Sequence, residues 1–245
     1  MTVPGELPAW FASAARALQD QRDTQSTLDR SALLATELIP SCEYATIATV
    51  HRNGALDTSA ATDHRGSLAD QLQYQFNEGP CLDAVRHRDT VISHDLTQED
   101  RWLKWAPTVA SELGLRSMLC LQLFTNAVVL GGLNLYSTTV NAFNDEDLST
   151  ATAFAAHVAV AVAEAQTADE LRTSADTRTI IGQAQGILME RYAIDGQQAF
   201  QVLRRVSQKS HTKLARIAEE LVQTRKLTEL EPPMGTDAEG PTRHP

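Results

Sequence analysis

Cysteine is scarce. Cys42, Cys81 and Cys120 are the only three in 245 residues. They are too few and too scattered for a disulfide framework or a cysteine-built zinc site. No Gly-rich phosphate loop, zinc motif or nucleophile elbow occurs. Also missing is the cluster of acidic residues with a lysine that a phosphorylated receiver needs, which argues against phosphorelay control. The expectation is a chain with no catalytic residues and no metal, hence no enzyme. No apolar run approaches the length of a membrane span. The start, MTVPGELPAWF, lacks a basic segment followed by an apolar one, so no export signal is expected. These absences predict a cytoplasmic protein with reduced thiols and no membrane partner. Apolar residues are 42% and charged residues 21% of the chain, a balance that fits a folded globular protein.

What is present concentrates between Thr179 and Leu221. Ile180, Ile181, Ala184, Ile187, Leu188 and Arg191 recur at helical spacing, as do Ala199, Phe200, Leu203 and Val206, and then Leu214, Ile217, Ala218, Leu221 and Val222. Such stripes belong to amphipathic helices. Asp195 is placed to cap the second helix, and Ser210 or Thr212 the third. Three helices this short are marginal alone, so their stripes must face one another. Between Asp195 and Lys226 seven basic residues (Arg204, Arg205, Lys209, Lys213, Arg216, Arg225, Lys226) stand against three acidic ones (Asp195, Glu219, Glu220). That is +4, in a chain whose total is -10. A basic face on an acidic whole is a candidate phosphate-backbone site. A solvated face beside a helix C-terminus, where cations are favourable anyway, carries the same charge, and charge alone favours that reading.

The residues themselves add more. Ile181, Ala184, Gly186, Ile187, Leu188, Met189 and Arg191 in IGQAQGILMERY are followed by Ala199-Phe200, Leu203-Arg204, Ser207, Lys213-Leu214 and Ile217-Ala218. Over this stretch the chain resembles the ANTAR domain, an RNA-binding module of bacterial transcription antiterminators. His211 departs from the pattern, standing where the family often has Asn.

Upstream, Trp10 to Leu18 and Leu28 to Leu38 carry helical stripes, the second ending before Pro40. CEYATIATV and ALDTSAATD read as strands joined by an Asn53-Gly54 turn. Helices are expected over Leu68–Phe76, from Cys81, and across EDRWLKWAPTVASELG. A short strand is expected at TVISHDL, then a hairpin of LRSMLCLQLFT and AVVLGGLNLYS around Asn126. This order predicts an α+β domain, an antiparallel sheet with helices packed on it. NEGPCLDAV, the helix near Trp102 and Trp105, and the closing hairpin before a long helix resemble a GAF domain, a small sensory fold. GAF and ANTAR domains joined in one chain are a known bacterial arrangement.

Residues 143–192 form one helical pattern without proline. Leu148, Ala155 and Val162 repeat every seven residues, with Ala151, Val158 and Ala165 at the second position. The repeat predicts close helix–helix packing, as in a coiled coil, and with it a homodimer. A helix lying along its own sheet would give the same pattern, and the two can coexist.

The expected organisation is therefore an N-terminal helical segment (1–29), a GAF sensory domain (30–165), an ANTAR RNA-binding domain (166–229) and a disordered tail (230–245). A long coiled-coil-like helix links the GAF sheet to a C-terminal three-helix ANTAR bundle. The resemblance implies a signal-responsive regulator of transcription antitermination that binds RNA stem-loops. Arg204, Arg205, Lys213 and Arg216 would contact the backbone. Gln183, Ser207, Ser210 and His211 would make base or sugar hydrogen bonds. Gly186 would permit close approach. Ala184, Leu188, Met189, Ala199, Phe200 and Leu203 are assigned to the core. The resemblance also implies a small-molecule ligand between sheet and helices, of unknown identity. Cys81, at a helix start, is a candidate redox or ligand residue; no local pairing among the cysteines is visible. A DNA-binding one-component regulator is the alternative, since three short helices imitate a helix-turn-helix. A GAF-type redox enzyme is a third.

Overall fold

The computed structural model describes residues 7–87, 90–126 and 128–227. The expected tail at 230–245 lies outside them. The chain divides into two compact units, Met1–Asp169 and Glu170–Pro245.

In the first unit, α1 (Leu7–Gln19) and α2 (Thr24–Leu38) precede β1 (Tyr44–Val50) and β2 (Leu56–Ala61). Then come α3 (His64–Phe76), α4 (Pro80–His87), β3 (Val91–Ser93), α5 (Trp105–Glu112), β4 (Ser117–Phe124) and β5 (Val129–Ser137). The last element is the start of α6 (Asp145–Tyr192). The five strands lie in the order β2-β1-β5-β4-β3, every pairing antiparallel. The β1–β2 turn closes at Gly54 (φ 80°), whose N–H donates to the His51 carbonyl at 2.8 Å.

Strand alternation sorts the core into two layers. Leu119, Leu121 and Leu123 of β4 and Leu133 and Leu135 of β5 point one way, into a cluster with Leu18 of α1, Leu28, Leu34 and Leu38 of α2, and Phe154, Val158 and Val162 of α6. Met118 and Cys120 of β4 and Tyr136 of β5 point the other way, onto Ala69 of α3, Cys81 and Ala84 of α4, and Trp102, Trp105 and Val109. Helices thus cover both sheet faces. α1 and the start of α2 share one apolar core with the sheet.

Two expectations need correction here. The helix foreseen across EDRWLKWAPTVASELG begins only at Trp105, because Glu78 Oε1, far away in sequence, accepts the N–H groups of Lys104 and Trp105. Second, an 18-residue window of α6 reaches a mean hydropathy of 1.4, long and apolar enough to cross a membrane by length and composition. Its stripe has another use. Ala151, Ala155, Val158 and Val162 are buried in the sheet-facing core, with Leu148 packed against them. The heptad positions at the start of α6 are therefore occupied by the chain's own sheet.

The second unit contains the end of α6, α7 (Gly196–Ser210) and α8 (Leu214–Thr224). Ala184, Leu188, Ala199, Leu203, Val206, Ile217, Ala218 and Leu221 form its core. Asp195 caps α7 as expected. Its Oδ1 accepts the Gln198 N–H at 2.7 Å, and Gln198 Oε1 accepts the Asp195 N–H at 3.0 Å, a reciprocal capping box. Neither Ser210 nor Thr212 caps α8. Lys213 occupies that position without a side-chain bond, while the Ser210 hydroxyl donates back to the Val206 carbonyl. Met189 and Phe200 are 39% and 37% exposed, not core. Each follows a stripe residue by one position, which turns it about 100° away from the core.

Phe154 is fully buried and meets Trp10 edge-on at 5.7 Å. Phe154→Ala is expected to lower unfolding free energy by about 3–5 kcal/mol, read by urea denaturation. A loss under about 1 kcal/mol would mean that α1 and α6 do not share a core.

Candidate functional site

Two regions gather polar groups in ways that packing does not explain. The first is the α7–α8 turn. The α7 helix ends at His211, which is left-handed (φ 52°). Asn and His tolerate that conformation better than most residues. A backbone requirement thus accounts for a His where the family often has Asn. The Ser207 carbonyl accepts the N–H groups of His211 and Thr212, and the Ser207 hydroxyl donates to the Thr212 carbonyl at 2.6 Å. Ser207 and Ser210 therefore spend their hydroxyl protons on the backbone, and they fix the turn. Around it Arg204, Arg205, His211, Lys213 and Arg216 are exposed. Among the described residues, Arg204, Arg205, Lys213 and Arg216 make no ion pair.

Gln183 and Gly186 are elsewhere. They line a groove of about 830 Å³ with Ile187, Glu190, Arg191, Val222 and Arg225. None of the turn residues lines it. Arg191 Nη2 donates to the Arg225 carbonyl at 2.7 Å, which holds that guanidinium beside the groove. Sequence reasoning did not mark Glu190 or assign Arg191 and Arg225 a role. The available signal was the place of Arg191 in the first helical stripe and of Arg225 in the basic set.

The second region is a buried polar cluster on one face of the sheet. Asp70 of α3 is fully buried. Its carboxylate accepts from Thr46 Oγ1 at 2.6 Å, Thr58 Oγ1 at 2.9 Å, Asn134 Nδ2 at 2.9 Å and Tyr136 OH at 2.5 Å. Burial pushes the Asp70 carboxyl up to about 6 from an ordinary 3.8, and the hydrogen bonds only partly offset this. Burial, then the Asp70 charge, raises the Tyr136 phenol. Asn134 Oδ1 is buried without a partner among the described residues.

Cys81 lies beside this cluster. It is fully buried, and its N–H donates to Gln73 Oε1 at 2.7 Å. Cys120 is also fully buried, and burial, followed by the neighbouring Cys81, raises its thiol. Both sulfurs sit over Gly132, where a Cβ would come within 3.0 Å of Cys81 Sγ and 3.6 Å of Cys120 Sγ. The sequence showed no pairing because 39 residues, and a change from helix to strand, separate the two. The Cys42 thiol is pushed up to about 12 by burial. Among the described residues, no three of His, Cys, Asp and Glu are grouped to hold a metal ion.

Comparison with known proteins bears on both regions. The family model described as a GAF domain matches residues 21–163, and that of the ANTAR domain matches residues 169–222. A comparison with curated proteins gives no match. Among solved structures, the GAF domain of an Acinetobacter phosphoenolpyruvate-protein phosphotransferase is 14% identical (TM-score 0.54; 68% of this chain, 97% of that one). The corresponding domain from Coxiella burnetii is also 14% identical (TM-score 0.55; 69% and 99%). A free methionine-R-sulfoxide reductase from Neisseria meningitidis, solved with its substrate, is likewise 14% identical (TM-score 0.52; 69% and 96%). Identities this low establish a shared fold and nothing finer.

The raised Asp70 carboxyl sets a pH dependence. A folded pKa above the unfolded one gives stability that is complete below about pH 4 and is lost as pH rises through about 6, on the order of 3 kcal/mol in all. Asp70→Asn, which cannot ionise, should flatten the slope of unfolding free energy between those limits. Identical slopes for the two proteins would show that the carboxyl is not raised.

Proposed function

The chain belongs to the GAF domain family and carries an ANTAR domain after it, and from that premise we propose that it is a signal-responsive, RNA-binding regulator of transcription antitermination. The architecture is that of a sensor-regulated regulator rather than an enzyme. RNA binding is the known role of ANTAR domains. The observation that carries the reading is the set of exposed cations Arg204, Arg205, Lys213 and Arg216, without carboxylate partners among the described residues, in a chain of net charge -10. Paired cations would be a solvated surface; unpaired ones on a turn braced by Ser207 are available to phosphates.

In this reading the cations hold the phosphates of a stem-loop in a nascent transcript, and Gln183, Gly186 and His211 stand close enough to the RNA to touch bases or sugars. Ser207 and Ser210 act mainly by fixing the turn. Binding lets polymerase read through a terminator. Two copies, paired in a homodimer, would engage two loops and gain affinity by linkage. The input reaches the GAF domain as a small molecule or as oxidation at Cys81, which has Cys120 as a neighbour. Such a regulator works where transcripts are made, in the cytoplasm.

Binding to a hairpin RNA and to a DNA duplex, at matched salt, separates this reading from that of a DNA-binding regulator. Tighter binding to the duplex would overturn it. Lys213→Ala with Arg216→Ala is expected to weaken hairpin binding and to reduce the slope of log K against log salt by about 1.4, roughly 0.7 for each single-strand phosphate no longer neutralised. An unchanged slope would remove these residues from the interface.

A further inference from the structure

Gly186 has no structural reason to be glycine. It lies inside α6, where glycine weakens a helix relative to alanine. A Cβ there would meet nothing within 4 Å. The chain therefore gains nothing from the missing side chain. Gly182, one turn earlier, is equally open, but it does not line the groove and Gly186 does.

The groove has a definite chemistry. Ile187 and Val222 give it an apolar wall, and Arg191 and Arg225 bring positive charge. The side chains of Gln183, Glu190 and Arg225 make no hydrogen bond among the described residues. Arg191 is held in place by the Arg225 carbonyl, at a left-handed residue (φ 58°) that ends α8. An apolar wall suits the face of a base, guanidinium groups suit the flanking phosphates, and a carboxylate only accepts hydrogen bonds. We infer that the groove formed by α6 and α8 receives an unstacked base of the bound RNA, Gly186 leaving room for it and Glu190 accepting from N–H donors on the base edge. This rests on the RNA-binding reading above. The carboxylate would repel phosphate alone, so its presence in the same groove as two arginines favours a nucleotide read by its base edge over one held by its backbone.

The test uses the full chain and a pool of RNA hairpins with randomised loops. Gly182→Ala and Gly186→Ala should both raise Tm, since each adds helix propensity in open space. Gly186→Ala should lower hairpin affinity roughly tenfold while Gly182→Ala stays at the wild-type value. Glu190→Gln should relax the base preference at one loop position in the selected pool. If Gly186→Ala binds like wild type, or changes only the oligomeric state, the groove does not hold a base. If Glu190→Gln selects the same loops, Glu190 does not read the edge. Absence of any hairpin binding by the wild-type chain would instead sink the RNA-binding reading itself, and the groove assignment with it.

Discussion

A single helix supplies apolar side chains to two separate cores, and the rest of the molecule is arranged around that division. Early in α6, Ala151, Phe154, Ala155, Val158, Ala159 and Val162 are buried against the sheet. Late in α6, Ala184 and Leu188 are buried against α7 and α8. Between Val162 and Ala184 no residue of the helix is fully buried. That middle stretch has no core of its own, and near its start Asp169 ties it to α2 by accepting the Thr24 N–H at 2.8 Å and the Thr24 hydroxyl at 2.7 Å. It has neither proline nor glycine before Gly182, so nothing in it breaks the helix, although Thr is as frequent there as Ala. The same stretch is the covalent connection along which a change in the GAF domain would reach the ANTAR domain.

Within the first unit the buried carboxylate plays the corresponding part. Asp70 draws donors from β1, β2 and β5 onto α3, so four elements are tied by one charge-bearing group. Such a network is costly unless nearly complete, and the unpaired Asn134 Oδ1 marks where it is incomplete. Glu78 plays a similar part at the surface. It caps α5 from the loop before α4, and Gly79 next to it is needed because a Cβ there would collide with the Gln73 side chain. Gln73 in turn takes the Cys81 N–H. The motif NEGPC is thus a structural junction that brings α3, α4 and α5 together beside the thiols.

Strands, hairpins and the three C-terminal helices were legible in the sequence because each depends on local periodicity or on a local turn. CEYATIATV alternates and becomes β1; Asp195 and Gln198 sit three residues apart and make the capping box. What was not legible depends on partners distant in the chain. The start of α5 is set by Glu78, the Asp70 cluster by donors up to 66 residues away, and the nearness of Cys81 and Cys120 to Gly132 by the packing of α4 on the sheet. Of the residues proposed for RNA, the cations were readable from charge alone. Ser207 and Ser210 were not, because only the turn geometry reveals that their protons are already committed. The separation of Gln183 and Gly186 from the turn was hidden for the same reason.

The charge of the whole chain does not argue against a nucleic-acid partner. At physiological ionic strength the Debye length is about 8 Å, so exposed charges farther away than that are largely screened. Approach of a phosphate to the α7–α8 turn is governed by what lies within that radius. There the exposed groups include Arg204, Arg205, Lys213 and Arg216. Three of these four are arginines, whose planar forks match phosphate oxygens in pairs. Because the described residues offer them no carboxylate, binding RNA breaks no ion pair within this set. The segment Asp195–Lys226 is itself net positive, seven basic residues against three acidic ones, so the acidic surplus of the chain comes wholly from other residues.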